Sequence, residues 1–263
     1  MENNFSVKRF IKLEYFLLLV VLVIPFINVV FGSMAVFFYV AFLLVKNIDS
    51  AANFIGDYTF NKKHYSKALK WYKFAAKSNN SKLKYINNYI FIELKYGSIK
   101  KAKEVLTYIE NNRDFQGEDL IDFKITESLI EYKNNNLEKS INILEPLCKK
   151  SQSASLYGAL GYLLNYGKDS KKALIFNQDS LELEPNNILI KFNLAKSCYR
   201  NNQLDKSKLL LNQIISLNPN FSDPYIYLGM ILKKEGKLED SLKMIDKAHT
   251  LPESSVAYIA KNK

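Results

Sequence analysis

The sequence predicts an all-α protein, a right-handed solenoid of about six helical hairpins that follows an N-terminal transmembrane helical hairpin. Two observations support this fold class. Small and apolar residues recur with a constant period in the sequence, and a sustained period of this kind is typical of stacked helical hairpins. The segment 15–45, near the N-terminus, contains no charged side chain and is long enough to cross a bilayer.

The period is clearest in the C-terminal half of the chain. Gly161 is followed by Ala195 and then, after an equal interval, by Gly229, and each of these small residues comes directly after a leucine. We expect the small residue to let the two helices of a hairpin approach closely. Pro185 is followed by Pro219 at the same spacing, and proline at these positions ends the second helix of each hairpin.

This pattern resembles the tetratricopeptide repeat, which has a large residue, then Leu-Gly, a small residue that opens the second helix, and a final proline. Tyr157, Leu160, Gly161, Ala173 and Pro185 occupy these positions in one repeat. The resemblance implies a solenoid whose first helices line a concave groove that binds a protein or peptide. The predicted repeats begin after Lys46 and continue at about 83–117, 119–153, 154–187, 188–221 and 222–252.

The first repeat follows the membrane segment without a Pro/Gly/Ser-rich linker. The interval from Ala102 to Ser140 is longer than the other repeat intervals, and we expect residues 111–119 to form a longer exposed loop. The predicted divisions are a basic cytoplasmic N-terminus at 1–12, a membrane segment at 13–46, the solenoid at 47–252 and a C-terminal capping helix at 253–263.

The uncharged segment would measure about 46 Å as one helix, which is long for one untilted crossing and short for two. Pro25, Asn28, Gly32 and Ser33 lie near its middle and predict a turn at 28–33. We therefore expect a first helix from about Leu13 to Phe26 or Phe31 and a second from about Met34 to Lys46.

A hairpin of this kind keeps both basic flanks on the cytoplasmic side of the membrane. The Lys-, Asn- and Ile-rich composition is typical of an AT-rich bacterial genome. The sequence therefore predicts a protein that crosses the bacterial cell membrane twice and carries its repeats in the cytoplasm. The arrangement also resembles membrane-anchored tetratricopeptide-repeat proteins of low-GC Gram-positive bacteria.

Two alternatives remain for the N-terminal segment. A single long crossing would place the repeats outside the cell, because the basic flank holds the N-terminus inside. A cleaved signal peptide with a site at 33–35 is disfavoured, because a further apolar run at 36–45 follows it directly.

The formal charge of +11 raises the possibility of nucleic-acid binding. The basic residues are 34 lysines and only three arginines, Arg9, Arg113 and Arg200, whereas arginine is the preferred bidentate reader of phosphates and guanines. We therefore expect a solvated basic surface rather than a nucleic-acid site. Cys148 and Cys198 lie in different repeats, and we expect both to be reduced thiols, with Cys198 on the packed side of its helix.

The sequence contains no arrangement of residues expected of an enzyme. His64 and His249 have no partner at ligand spacing, and no zinc, phosphate-loop or nucleophile motif occurs. We expect no catalysis, no cofactor and no metal site.

The repeat register predicts which side chains of the first helices face the groove. They combine aromatic rings with cations, which suits an extended peptide that carries apolar and acidic groups. The candidate peptide-binding residues are Asn87, Phe91, Lys95, Tyr132, Lys133, Tyr162, Asn165, Tyr166, Phe192, Lys196, Tyr199, Arg200, Met230, Lys233 and Lys234.

Tetratricopeptide repeats that hold chaperone C-termini use a lysine and an asparagine in the first repeat. Asn53 and Asp57 lie at the corresponding positions here, and the Asp57 carboxylate would repel an acidic tail. The sequence therefore predicts a membrane-anchored scaffold for a different partner. The alternative function, which goes with a single crossing, is an extracytoplasmic accessory protein in envelope assembly or secretion.

Overall fold

The computed structural model describes residues 28–78 and 81–251, together with Leu18, Leu19, Val21 and Val23. This part of the chain contains thirteen delimited helices joined by turns. The predicted 1–12 tail, most of the first membrane helix and the 253–263 capping helix lie outside the described residues. The helices are α1 (Val29–Lys46), α2 (Ile48–Asn61), α3 (Tyr65–Lys77), α4 (Leu83–Tyr96), α5 (Ile99–Asn112), α6 (Gly117–Lys133), α7 (Leu137–Cys148), α8 (Ala154–Leu164), α9 (Ser170–Leu183), α10 (Ile188–Arg200), α11 (Leu204–Ile215), α12 (Asp223–Lys234) and α13 (Leu238–His249).

The chain divides into two compact units, Met1–Tyr85 and Ile86–Lys263. The first unit holds α1, α2 and α3, and the second holds α5 to α13. Helix α4 begins in the first unit and lies mainly in the second.

Helix α1 begins earlier than the sequence predicted. The predicted turn at 28–33 is wrong from Val29 onward, because these residues form the first turns of α1. The Asn28 side chain accepts hydrogen bonds from the amides of Val30 and Phe31, at 2.9 and 3.2 Å. Asparagine is a strong N-cap residue, so the polar residue taken for part of a turn instead starts a helix.

Helix α1 has 18 residues and is about 27 Å long. Its apolar side chains are largely exposed, including Phe31, Phe37 and Phe38. In the described ranges no single helix is long and apolar enough to cross a bilayer. Residues 29–43 and α2 together have the required length and composition, but their axes are bent by 66°.

Helices α2 and α3 pack against each other as a hairpin in the first unit. A side-chain carbon at Gly56 would lie 2.8 Å from the ring of Tyr72, so this pairing requires a glycine. The Tyr72 hydroxyl donates to Asp57 Oδ1 at 2.6 Å, and Asn53 donates to Asp57 Oδ2 at 3.1 Å. Burial and the hydrogen bond to Asp57 raise the pKa of Tyr72 far above its ordinary value.

In the second unit, consecutive helices from α5 to α13 contact one another. Contacts also join α6 to α8, α8 to α10 and α10 to α12. The first helices of successive hairpins are therefore neighbours, as the solenoid prediction requires. Helix α9 ends at Leu183, just before Pro185, and Cys198 is fully buried on α10.

A repeated hydrogen bond joins the two helices of three hairpins. The hydroxyls of Ser140, Ser207 and Ser241 donate to the carbonyl groups of the residues twelve positions earlier, at 2.7 to 2.8 Å. Two of those acceptors belong to Ala195 and Gly229, the small residues of the repeat pattern. Serine at these positions is therefore small enough for the close approach and also satisfies a carbonyl across the interface.

The extra residues between the second and third hairpins do not form the predicted long loop. Helix α5 continues to Asn112 and α6 begins at Gly117, so only residues 113–116 connect them. The added length makes α6 a helix of 17 residues. Glu118 and Asp119 lie in its first turn, where negative charge stabilises the positive end of the helix dipole.

A layer of buried amides lies between α8, α9 and α10. Asn177 donates to the carbonyl of Gly161 at 3.2 Å and to Ser197 Oγ at 2.9 Å. Ser197 donates to Asn165 Oδ1 at 2.8 Å, and Asn193 donates to the carbonyl of Gly158 at 2.9 Å. These bonds join two successive hairpins through side chains that have little exposure.

The amide layer makes Gly161 and Gly158 a matched pair for mutation. A methyl group at Gly161 would collide with Asn177 Oδ1, which the amide layer holds in place, whereas one at Gly158 meets only Leu189 Cδ2 at 3.3 Å. We expect Gly161→Ala to lower the free energy of unfolding by about 1–3 kcal/mol, as overpacked cores do. Gly158→Ala gains helix propensity and should change the free energy of unfolding by less than about 1 kcal/mol. Urea denaturation of both variants measures the difference, and equal effects would contradict the prediction.

Candidate peptide-binding surface

Aromatic and basic side chains from four first helices meet in the second unit. On α10, Phe192, Lys196 and Tyr199 are spaced four and three residues apart, so they lie on one face of the helix. The contacting side chains come from α6, from α8 and the turn after it, from α10 and from α12. We call this group the tyrosine–lysine surface, which comprises Tyr132, Tyr162, Tyr166, Lys196, Tyr199, Tyr227 and Lys234.

Three tyrosines form the part of this surface nearest α6. The ring centroids of Tyr132 and Tyr166 are 5.4 Å apart, and those of Tyr162 and Tyr166 are 5.0 Å apart. Tyr132 and Tyr162 meet edge to face at 5.9 Å, a favourable arrangement for aromatic pairs. Burial raises the pKa of Tyr132 to about 12 and also raises the pKa of Tyr162.

The ammonium group of Lys196 is enclosed by the rings of Tyr162, Tyr166 and Tyr227. Lys196 is only 4% exposed, and its Nζ lies 3.6 Å from the ring centroid of Tyr166. The ring centroids of Tyr162 and Tyr227 are 5.5 and 5.7 Å from the same nitrogen. Burying a charge is costly unless it finds compensating interactions, and the aromatic faces supply them through cation–π attraction.

Lys196 also changes the acidity of Tyr166. Burial by itself would raise the pKa of Tyr166, but interactions with the polar groups of Lys196 and Tyr162 and the positive charge of Lys196 outweigh it and lower the pKa. For Tyr227, burial dominates and the nearby Tyr166 adds to it, so its pKa is raised. Neighbouring tyrosines of one surface are therefore shifted in opposite directions.

The part of the surface nearest α12 rests on a buried aromatic base. Phe192 is fully buried and its ring centroid lies 5.7 Å from those of both Phe221 and Tyr227. Tyr227 meets Tyr199 edge to face at 5.4 Å, and Lys234 Nζ lies 4.5 Å over the Tyr199 ring. Phe192 therefore supports the surface from below and is not itself accessible.

Two other predicted groove residues make structural hydrogen bonds. Asn165 is buried in the amide layer, where it donates to the carbonyl of Asn193 at 2.9 Å. Arg200 donates to the carbonyls of Leu164 and Gly167 at 3.4 and 2.7 Å. Both side chains hold α10 against the end of α8.

Five of the predicted groove residues outside α4 are exposed to solvent, and three others lie on α4. Tyr166 and Met230 are 43% and 44% exposed, and Lys133, Lys233 and Lys234 are exposed as well. On α4, Asn87 accepts a hydrogen bond from Thr126 at 2.9 Å, Phe91 is half-buried and Lys95 is exposed.

Sequence reasoning missed Tyr227, which contacts both Phe192 and Tyr199. The repeat register pairs Tyr227 with Asn193, which lies in the buried amide layer. Its spacing of three residues from Met230 would have placed it on the same face of α12.

The described residues offer no site for a metal ion, because no three His, Cys, Asp or Glu side chains among them cluster at suitable distances. His64 and His249 are exposed and lie at helix ends, before α3 and at the end of α13.

Comparison with solved structures identifies the fold. PilW, a type IV pilus biogenesis factor, matches with a TM-score of 0.57 at 13% identity, over 77% of this chain and 93% of PilW. A tetratricopeptide-repeat protein from Parabacteroides merdae matches with a TM-score of 0.53 at 16% identity, over 81% of this chain and 84% of its own. The chain has the tetratricopeptide-repeat fold.

PilF from Pseudomonas aeruginosa agrees, with a TM-score of 0.54 at 12% identity over 81% of this chain and 96% of PilF. No family model and no curated sequence matches the chain. At these identities the likeness concerns the tetratricopeptide-repeat fold alone. The narrower resemblance to membrane-anchored proteins of low-GC Gram-positive bacteria stays a prediction.

The opposite pKa shifts on the tyrosine–lysine surface can be measured. We expect one tyrosine, Tyr166, to ionise below the ordinary pKa of 10.0, as reported by the absorbance of tyrosinate during an alkaline titration. The signal is assigned by its loss in Tyr166→Phe. In Lys196→Met the burial remains and the charge is gone, so this tyrosine should ionise at a higher pH than in the native chain.

Lys191→Met removes a lysine from the same helix and serves as the control, in which the early ionisation should remain. If the early ionisation also remains in Lys196→Met, Lys196 is not its cause.

Proposed function

We propose that this protein is a membrane-anchored scaffold that binds a segment of a partner protein on the tyrosine–lysine surface and catalyses no reaction. The observation that carries the proposal is the enclosure of the Lys196 ammonium by three tyrosine rings. Such an arrangement fixes the positions of the rings before a partner arrives. Binding to a preorganised surface loses less conformational entropy than binding to a mobile one.

The accessible groups of this surface define the chemistry of the partner. Tyr166 and Met230 offer an aromatic face and a polarizable apolar side chain. Lys133, Lys233 and Lys234 add exposed positive charge around them. An extended segment with apolar and acidic side chains would complement both features.

The N-terminal segment would supply the membrane anchor. We propose that residues 13–46 cross the bilayer as two helices and that the repeats lie in the cytoplasm of a bacterial cell. The exposed apolar side chains of α1 support contact with lipid. An anchored scaffold raises the effective concentration of its partner at the membrane without any chemistry. Under the alternative topology, the N-terminal segment crosses the membrane once. This protein would then be an extracytoplasmic accessory protein in envelope assembly or secretion.

Topology separates the two alternatives. Cysteines introduced as Asn3→Cys and Asn112→Cys, one at a time, are exposed to a membrane-impermeant maleimide in intact cells. We expect the native thiols to react slowly, because Cys198 is buried and burial raises the pKa of Cys148 to about 12. We expect neither introduced cysteine to be labelled until the cells are opened. Labelling of the cysteine at position 112 in intact cells, without labelling at position 3, would establish the single crossing instead.

Site-specific crosslinking tests the binding surface. A photoreactive benzoylphenylalanine at Tyr166 or Met230 of the full chain should form the same adduct in cells. The same probe at Gln178 or Asn212, which are exposed on α9 and α11, should not. The partner segment mapped by mass spectrometry should contain acidic and apolar residues, and Lys233→Gln with Lys234→Gln should reduce the adduct. Adducts that form equally at the control positions would rule out this surface.

A further inference from the structure

One face of α3 combines exposed aromatic rings with lysines. Trp71 and Phe74, three residues apart, are 40% and 50% exposed. The opposite face of the helix packs on α2 through Ala68, Tyr72 and Ala75, which are buried. Large aromatic side chains that remain exposed, on a helix whose opposite face is already packed, indicate a surface that contacts a membrane or another protein.

The charge around these rings has one sign. Helix α3 contains four lysines, Lys67, Lys70, Lys73 and Lys77, and no acidic residue. Lys62 and Lys63 lie in the turn before it. From Lys46 to Ser78 there are seven lysines and two aspartates, and one of these, Asp57, accepts the hydrogen bond from Tyr72. An occupant of this face must therefore tolerate apolar rings and carry negative charge.

Helix α3 also lies close in the chain to the apolar helix α1. Only Asn47 separates α1 from α2, and the axes of residues 29–43 and α2 are bent by 66°. Helix α1, at about 27 Å, is shorter than the hydrocarbon core of about 30 Å, so a crossing by α1 needs local thinning of the bilayer or extension of Lys46 to the headgroups. If α1 stands across the bilayer, α2 runs nearer to the plane of the membrane than to its normal. Helix α3, packed on α2, then lies near the lipid headgroups.

We propose that the exposed face of α3 docks on the surface of a bilayer that contains anionic lipids. Trp71 and Phe74 would enter the interfacial region, where aromatic side chains are favoured. The lysines would extend their ammonium groups to the headgroups, because their long stems reach past the apolar rings. Each lysine near an anionic surface changes the ratio of docked to free hairpin by about fivefold. This contact goes beyond partner binding but rests on the proposed anchor.

Trp71 reports directly on this contact, because it is the single tryptophan of the chain. The full-length protein is reconstituted into vesicles of phosphatidylcholine alone or with phosphatidylglycerol, both containing lipids brominated near the headgroup. We expect Trp71 fluorescence to be quenched more strongly in the anionic vesicles. The excess quenching should fall as salt is added, because salt screens exposed charges.

A variant with Lys67→Gln, Lys70→Gln, Lys73→Gln and Lys77→Gln should lose the excess quenching. A control with Lys149→Gln, Lys150→Gln, Lys168→Gln and Lys171→Gln removes as much charge from exposed sites in the other unit and should keep it. Glutamine preserves helix propensity, and far-UV circular dichroism confirms the fold of each variant.

Equal quenching in both vesicle types, or an excess in anionic vesicles that survives in the α3 variant, would overturn the proposal. Weak quenching in both would also overturn it and leave this face to a protein partner. Flotation of the vesicles in high salt tests the anchor separately. A chain that detaches in high salt but shows the excess quenching in low salt would refute the anchor and retain the α3 contact.

Discussion

The close approach of two helices within each hairpin is the constraint on which the rest of this structure depends. In three hairpins a serine hydroxyl reaches the backbone carbonyl twelve residues earlier, which is possible only where small side chains separate the helices. At Gly229 an added carbon would lie 2.9 Å from Ile245. Because each hairpin is thin, successive first helices also come into contact, and only then can α6, α8, α10 and α12 contribute side chains to one surface.

The tyrosine–lysine surface shows how an apparently unfavourable residue is accommodated. A buried ammonium group would destabilise an apolar core by several kcal/mol, of the order given for unpaired buried ions. Here the same ammonium lies 3.6 Å from the ring centroid of Tyr166 and 5.5 and 5.7 Å from those of Tyr162 and Tyr227. The arrangement requires rings from α8 and α12 around a lysine of α10, so the charge is stable only when three hairpins are assembled. The surface is therefore a product of the stack and not of any single repeat.

The sequence could predict features that depend on neighbours along the chain. The spacing of Gly161, Ala195 and Gly229 predicted the hairpins, and Pro185 predicted a helix end. A small residue and a proline each affect the helix within one or two turns of their own position, so their effects can be inferred from the local sequence. It could not predict that Lys196 is buried, because that depends on tyrosines that belong to other repeats. The same limit explains Phe192, whose burial depends on Phe221 and Tyr227. The helical start at Val29 was missed for a different reason: asparagine caps helices as readily as it forms turns.

The amide layer distinguishes the interface between α10 and the α8–α9 hairpin from the corresponding interface of the following repeat. In a chain of similar hairpins, any second helix can in principle stack on the wrong neighbour, and such misassembly is a characteristic failure of repeat proteins. Asn165, Asn177, Asn193 and Ser197 have Tyr199, Leu211, Tyr227 and Ile231 as their counterparts in the following repeat. A hairpin shifted by one repeat would therefore set buried amides against aromatic and aliphatic side chains and break the hydrogen bonds of the amide layer, at a cost of about 1–3 kcal/mol for each group left without a partner. Four polar side chains thus make the pairing of α10 with the α8–α9 hairpin specific, because the following repeat does not offer the same hydrogen-bond partners at these positions.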